Sequence, residues 1–176
     1  MLNPVTGVLQ EFRYLIKGTD KEIWTKSLAN DFVRLSQGVS KRTEGTNTMY
    51  FIPKEEVPFK TKKVTYPKIV CDIRPSKADT HRTRITVDGN LLYYAGTLTT
   101  PAATITTAKC LFNSVVSTPA AKYVLDDIKN FYLNNALPDP EYMKFHIATI
   151  TQEIIDEYNL LNIFDNQGYV YVKIVK

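Results

Sequence analysis

The segment Lys122-Tyr-Val-Leu-Asp-Asp-Ile-Lys-Asn-Phe-Tyr-Leu-Asn134 decides how the rest of the chain reads. Tyr123 to Leu125 reads as a buried strand that runs into two adjacent carboxylates, Asp126 and Asp127, and the apolar turn Phe131-Tyr132-Leu133 follows at once. A carboxylate buried without a partner costs several kcal/mol or shifts its pKa. The pair therefore caps the next element, which aspartate does well, or it holds a cation.

Working outward, a chain of 176 residues is one domain or slightly more, long enough to bury a proper core. An apolar fraction of 44% and a charged fraction of 23% are those of an ordinary globular chain. No apolar run approaches the ~20 residues of a membrane span, and Met1-Leu-Asn-Pro-Val lacks the flank and core of a signal peptide. Cys71 and Cys110 read as free buried thiols, and His81 and His146 stand without zinc-ligand spacing. The net charge of +4 is a mild bias, but its distribution is uneven. Lys54, Lys60, Lys62, Lys63, Lys68, Arg74, Lys77, Arg82 and Arg84 crowd one stretch, whereas residues 126–165 are acidic.

Thr19 and Glu22 fit a capping box, and Trp24, Leu28, Phe32 and Leu35 recur at helical spacing up to a stop at Gly38, which predicts a helix over about 20–37. A short strand is expected at Met49–Ile52, an exposed basic connection over 53–63, and a strand over Val64–Ile73 with Pro67 marking an edge or bulge. Arg82–Val87 and Leu91–Tyr94 flank Asp88-Gly-Asn90, which reads as a hairpin. Thr100-Pro101 opens a helix that runs to about 117. Asn134–Pro140 is a turn region, Tyr142–Ile147 a strand, and Thr151 the cap of a helix bearing Ile154, Ile155 and Tyr158. An alternating strand over Tyr169–Val175 closes the chain. The expected class is α+β, a small antiparallel sheet packed with helices.

Arg82 and Arg84 are two apart and share one strand face, which suits either a solvated edge or a phosphate clamp. The glycines show neither dinucleotide-binding nor phosphate-loop spacing, and neither histidine has a nucleophile near it in sequence. A carboxylate at a strand end, basic residues upstream and an aromatic just beyond fit phosphoryl or nucleotidyl transfer.

These residues also carry a family resemblance. Asp127-Ile-Lys-Asn-Phe-Tyr-Leu resembles the first catalytic motif of copia-type retrotransposon reverse transcriptases, Asp-Val-Lys-Asn-Ala-Phe-Leu. Trp24 with Ser27-Leu-Ala-Asn and Leu35 resembles the helix that opens the family's domain, and His81-Arg-Thr-Arg-Ile-Thr-Val-Asp-Gly89 resembles its fingers segment. Thr100-Pro101 with Thr106-Thr-Ala-Lys-Cys-Leu-Phe112, and Glu141-Tyr-Met-Lys144, follow in the family's order. The resemblance implies polymerase fingers and part of a palm: an upstream tail over 1–19, a fingers-like basic region over 20–100 and a partial palm over 101–176. It implies that Asp127 coordinates catalytic Mg²⁺ near the backbone carbonyl of Ile128, and that Tyr132 is a steric gate against the ribose 2′-hydroxyl. It places Arg82 and Arg84 where the incoming triphosphate is held. The implied partners are an RNA or DNA template–primer, a deoxynucleoside triphosphate, and the remaining palm, thumb and RNase H regions of a polyprotein working in the cytoplasm or nucleus, with no membrane.

The family's Tyr-Val-Asp-Asp motif is not in the sequence, which ends just before its expected place. Two-metal chemistry needs those further carboxylates, so these 176 residues are expected to be inactive as a polymerase by themselves. A non-enzymatic nucleic-acid-binding relic that keeps the basic fingers is the alternative, and an unpartnered structural remnant is the third reading.

Overall fold

A computed structural model describes residues 11–39, 42–87, 92, 103–126 and 130–176, without the side chain of Tyr132. The chain divides into two compact units, Met1–Leu92 with Tyr132–Lys176, and Tyr93–Phe131.

The larger unit is built on the helix that the apolar spacing predicts. After a single turn, α1 (Phe12–Leu15), helix α2 runs from Lys21 to Leu35. Its stripe of Trp24, Leu28, Phe32 and Leu35 is buried, together with Ala29 and Val33. The capping box is not made, since no side chain caps the start of α2. The helix does stop where expected, and Gly38 takes φ +86°, a conformation that side chains disfavour. Gly38 opens a hairpin of two short strands, β1 (Gly38–Val39) with β2 (Thr43–Glu44). Gly45 then passes so close to the chain end of α2 that a Cβ would lie 2.3 Å from backbone atoms of Ser36, Gln37 and Gly38.

The strands expected at Met49–Ile52, Tyr142–Ile147 and Tyr169–Val175 are present as β3 (Met49–Ile52), β7 (Glu141–His146) and β8 (Tyr169–Ile174). With β4 (Val64–Thr65) they form one sheet in the order β3-β8-β7-β4. The β4–β7 pairing is parallel, so the sheet is mixed and not wholly antiparallel as expected. It takes strands from both sides of residue 100. The alternation of β8 puts Val170 and Val172 in register with Phe145 and Met143 of β7, and all four are buried in the α2 core. The opposite face holds a smaller cluster of Ile52, Val57, Tyr142 and Tyr171. A short helix, α4 (Gln152–Glu157), follows Thr151 and buries Ile154 and Ile155.

One residue organises the approach to β8. The Asp165 carboxylate accepts the backbone N–H groups of Gln167 (3.0 Å) and Tyr169 (2.9 Å). It also accepts the Tyr171 hydroxyl (3.1 Å) and the Lys54 ammonium (3.3 Å). Lys62 bridges Asp139 and Glu141, and these two carboxylates, Asp139 first, raise its pKa. Two lysines of the basic stretch are therefore engaged in internal pairs.

The expected single strand over Val64–Ile73 is two strands. Pro67 lacks an N–H to donate, so the chain leaves the sheet after Thr65 and begins β5 (Pro67–Ile73) in a separate ribbon with β6 (His81–Val87). Thus β6 pairs backwards with β5, in register from Pro67↔Val87 to Ile73↔His81. The forward partner expected from sequence, Leu91–Tyr94 across Asp88-Gly-Asn90, falls outside the described residues apart from Leu92.

In the smaller unit, helix α3 spans Ile105–Ser117. Thr104 caps it by accepting the Thr107 N–H at 3.1 Å, so Thr100-Pro101 does not open the helix. Residues 121–126 carry no regular structure, and Val124 and Leu125 are exposed, in contrast to the buried strand read over Tyr123–Leu125. A strand needs a neighbour for its backbone N–H and C=O groups, and none pairs here among the described residues. Cys71 is buried, and burial pushes its thiol pKa up, whereas Cys110 is exposed. Among the described residues, no helix is long and apolar enough to cross a membrane.

Candidate nucleic-acid interface

The β5–β6 ribbon lies along helix α2, and a polar seam joins them. Strand β6 uses one edge for β5, and the N–H groups at its other edge need acceptors. Ser27 Oγ accepts the Thr83 N–H at 2.9 Å, and Asp31 Oδ2 accepts the Ile85 N–H at 2.7 Å. Ser27 Oγ also donates to the His81 carbonyl (3.1 Å). Thr83 and Asp31 are both buried there. His81 packs edge-on against the buried Trp24 at 4.7 Å, which anchors the strand's start. Ser27→Ala leaves the Thr83 N–H without its acceptor, and about 1–2 kcal/mol of stability should be lost in denaturant unfolding.

This seam fixes the face that each β6 side chain takes. Thr83 is buried and Ile85 half-buried, while Arg82, Arg84 and Thr86 alternate with them on the other face. The sequence expectation that Arg82 and Arg84 share a face is met. Arg82 draws in more charge than the sequence reveals. Burial, followed by the guanidinium groups of Arg84, Arg74 and Arg34, holds its pKa below the ordinary arginine value, and Asp31 opposes them. Arg74 directly follows β5 and Arg34 comes from the last turn of α2, so residues from three parts of the unit act on one another.

The cluster is short of counter-charge. Arg34 pairs with Asp31. Among the described residues, Arg74, Arg82 and Arg84 form no ion pair, although Asp72 stands directly across from Arg82 in the ribbon. Arg74 Nη2 donates to the Asp79 carbonyl at 3.3 Å, and the Nε atoms of Arg34 and Arg74 are buried without a hydrogen-bond partner. Planar guanidinium groups with unused donors are suited to the oxygens of phosphate.

Of the other expected site residues, Asp127 and Ile128 lie outside the described residues. Tyr132 has its backbone in the 3-10 turn Phe131–Asn134, but its side chain is also outside them. Asp126 is exposed. Among the described residues, no three His, Cys, Asp or Glu side chains come together as a metal site. The residues present thus offer no test of the fit to Mg²⁺, and no chemical step is derived through it. Compared with known proteins, the chain matches no family model, no curated protein and no solved structure.

Proposed function

We propose that this chain is the fingers and leading part of the palm of an RNA-directed DNA polymerase of the copia retrotransposon type. In this reading the arginine ribbon holds phosphate groups of the incoming deoxynucleoside triphosphate and of the template–primer. The observation that carries it is the convergence of Arg34, Arg74 and Arg84 on Arg82, with Asp31, the ion-pair partner of Arg34, as the opposing carboxylate. Four guanidinium groups in one place repel each other, and a polyanion relieves that repulsion. Asp127, with the Ile128 carbonyl beside it, would hold Mg²⁺, which would neutralise charge on the phosphates, and Tyr132 would contact the sugar. The arginine ribbon needs no metal to hold phosphate, so it equally serves a nucleic-acid-binding chain that performs no chemistry.

The test compares wild type, Arg82→Ala/Arg84→Ala and Asp127→Asn for binding to a labelled RNA–DNA template–primer and to a deoxynucleoside triphosphate, over a range of salt with and without Mg²⁺. The arginine pair should weaken binding roughly tenfold and flatten the salt dependence by about two counterions. Asp127→Asn should remove only a Mg²⁺-dependent component, and the lack of any such component would leave the metal-free binding chain. Equal binding by all three proteins would end both readings.

A further inference from the structure

We propose that Asp31 is the resident counter-anion of the arginine cluster, a positioning residue whose carboxylate balances the guanidinium charge when no ligand is bound and opposes the binding of phosphate. This rests on the reading that these arginines bind phosphate, and adds to it the group that sets their affinity.

The argument turns on a comparison within the seam. Ser27 and Asp31 do the same structural work, each accepting one backbone N–H from the edge of β6. Ser27 does it with a neutral hydroxyl. A second serine or an asparagine would serve at Ile85, so the charge at position 31 is not needed to close the strand edge. That charge also stands in an unfavourable place. The side chain is 6% exposed, and burial raises its pKa despite Arg34, the Ile85 N–H and Arg82, all of which lower it. Its two oxygens are both committed, one to Arg34 and one to Ile85, so it cannot turn away from the cluster. What the ionised form does that serine cannot is offset the repulsion among Arg34, Arg82 and the arginines around them. A phosphate arriving at Arg82 enters a field that Asp31 already partly cancels.

Inorganic tripolyphosphate, titrated against the full chain by calorimetry, gives the test. Asp31→Asn keeps an acceptor for the Ile85 N–H and removes the charge. Its affinity should rise by about three- to tenfold. Ser27→Ala cuts the same seam without a change of charge, and should lower the melting temperature with no gain in affinity. A merely structural Asp31 would behave as Ser27 does, and unchanged or weaker binding by Asp31→Asn overturns the proposal.

A second measurement on the wild type covers the case in which Asp31→Asn does not fold. Binding linkage is reciprocal. Tripolyphosphate should therefore raise the pH at which the Asp31 carboxyl, facing Arg34 on its own helix and Arg82 on β6, takes up its proton in a carbon NMR titration. An unmoved titration also overturns the proposal. If Arg82→Ala/Arg84→Ala binds tripolyphosphate as wild type does, the phosphate reading itself has failed. If that pair weakens binding but Asp31→Asn does not tighten it, only the role of Asp31 has failed.

Discussion

Truncating Phe32 to alanine is expected to lower the free energy of unfolding by about 3–5 kcal/mol, among the larger effects a single core substitution produces. Phe32 is fully buried in the last turn of α2, and its ring meets Phe145 of β7 at 5.1 Å and Phe51 of β3 at 6.3 Å. It is the point where the helix, the central sheet and its edge strand share one contact. The neighbours that would have to fill the space are themselves fixed in register by β8, so the site has little freedom to collapse. Urea unfolding followed by tryptophan fluorescence reads the loss directly, because the only tryptophan, Trp24, sits two helical turns away on the same stripe. A loss under about 1 kcal/mol would mean that α2 does not dock on the sheet as described.

Removing the Asp165 carboxylate should cost roughly 2–4 kcal/mol, and the effect should depend on pH. Asp165→Ala leaves two backbone N–H groups, the Tyr171 hydroxyl and the Lys54 ammonium without their common acceptor. Burial alone, the largest single influence, pushes the Asp165 pKa up, but the donors of Tyr169, Gln167, Tyr171 and Lys54 together bring it below the usual aspartate value. A carboxyl with a depressed folded pKa stabilises the fold above its unfolded value, near ~3.9, and loses that contribution as pH falls through the folded value. Wild type should therefore lose stability below about pH 4 through this group, a loss that is missing in Asp165→Asn. Asp31 runs the other way: its raised pKa means that its contribution grows as the pH falls. On the alkaline side, burial and then the Asp165 contact push the Tyr171 hydroxyl up from 10.0 to about 12. That group should weaken the fold as pH rises through this interval, and Tyr171→Phe should abolish its share. The pH dependence of the urea midpoint measures all three.

The helix and the strands of the main sheet were legible because their signals are local. The stripe of α2 and the alternation of β8 are each set by the period of one element, and tertiary contacts only reinforce them. The pairing of β6 with β5 was not legible, because the turn signals in the sequence point forward from β6. Asp88-Gly-Asn90 has the stronger short-range chemistry, whereas β5 and β6 are joined by the seven residues Arg74–Thr80, which carry no tight-turn pattern. The pairing is decided by the match of Ile69, Cys71 and Ile85 with the core, which is not visible from either turn. In the candidate site, Arg82 and Arg84 could be found from their spacing of two. Arg34 lies 48 residues upstream of Arg82 and Arg74 in the preceding strand's exit, and no linear pattern links them. Asp31 was hidden in a helix whose apolar stripe dominates its reading. Its only sequence signal was a charge on the buried side of that stripe.

The seam between α2 and β6 also acts as a ruler. Ser27 and Asp31 are four residues apart on a helix, about 6 Å along its axis, and Thr83 and Ile85 are two apart on a strand, about 6.6 Å. The two repeats nearly coincide over one step and would drift apart over several, so a pair of contacts is what such a seam can hold. If β6 slid by one residue, both contacts would break together, and each arginine would exchange faces with its threonine or isoleucine neighbour. A serine and an aspartate on the helix thus determine that the ribbon shows its positive charge outward.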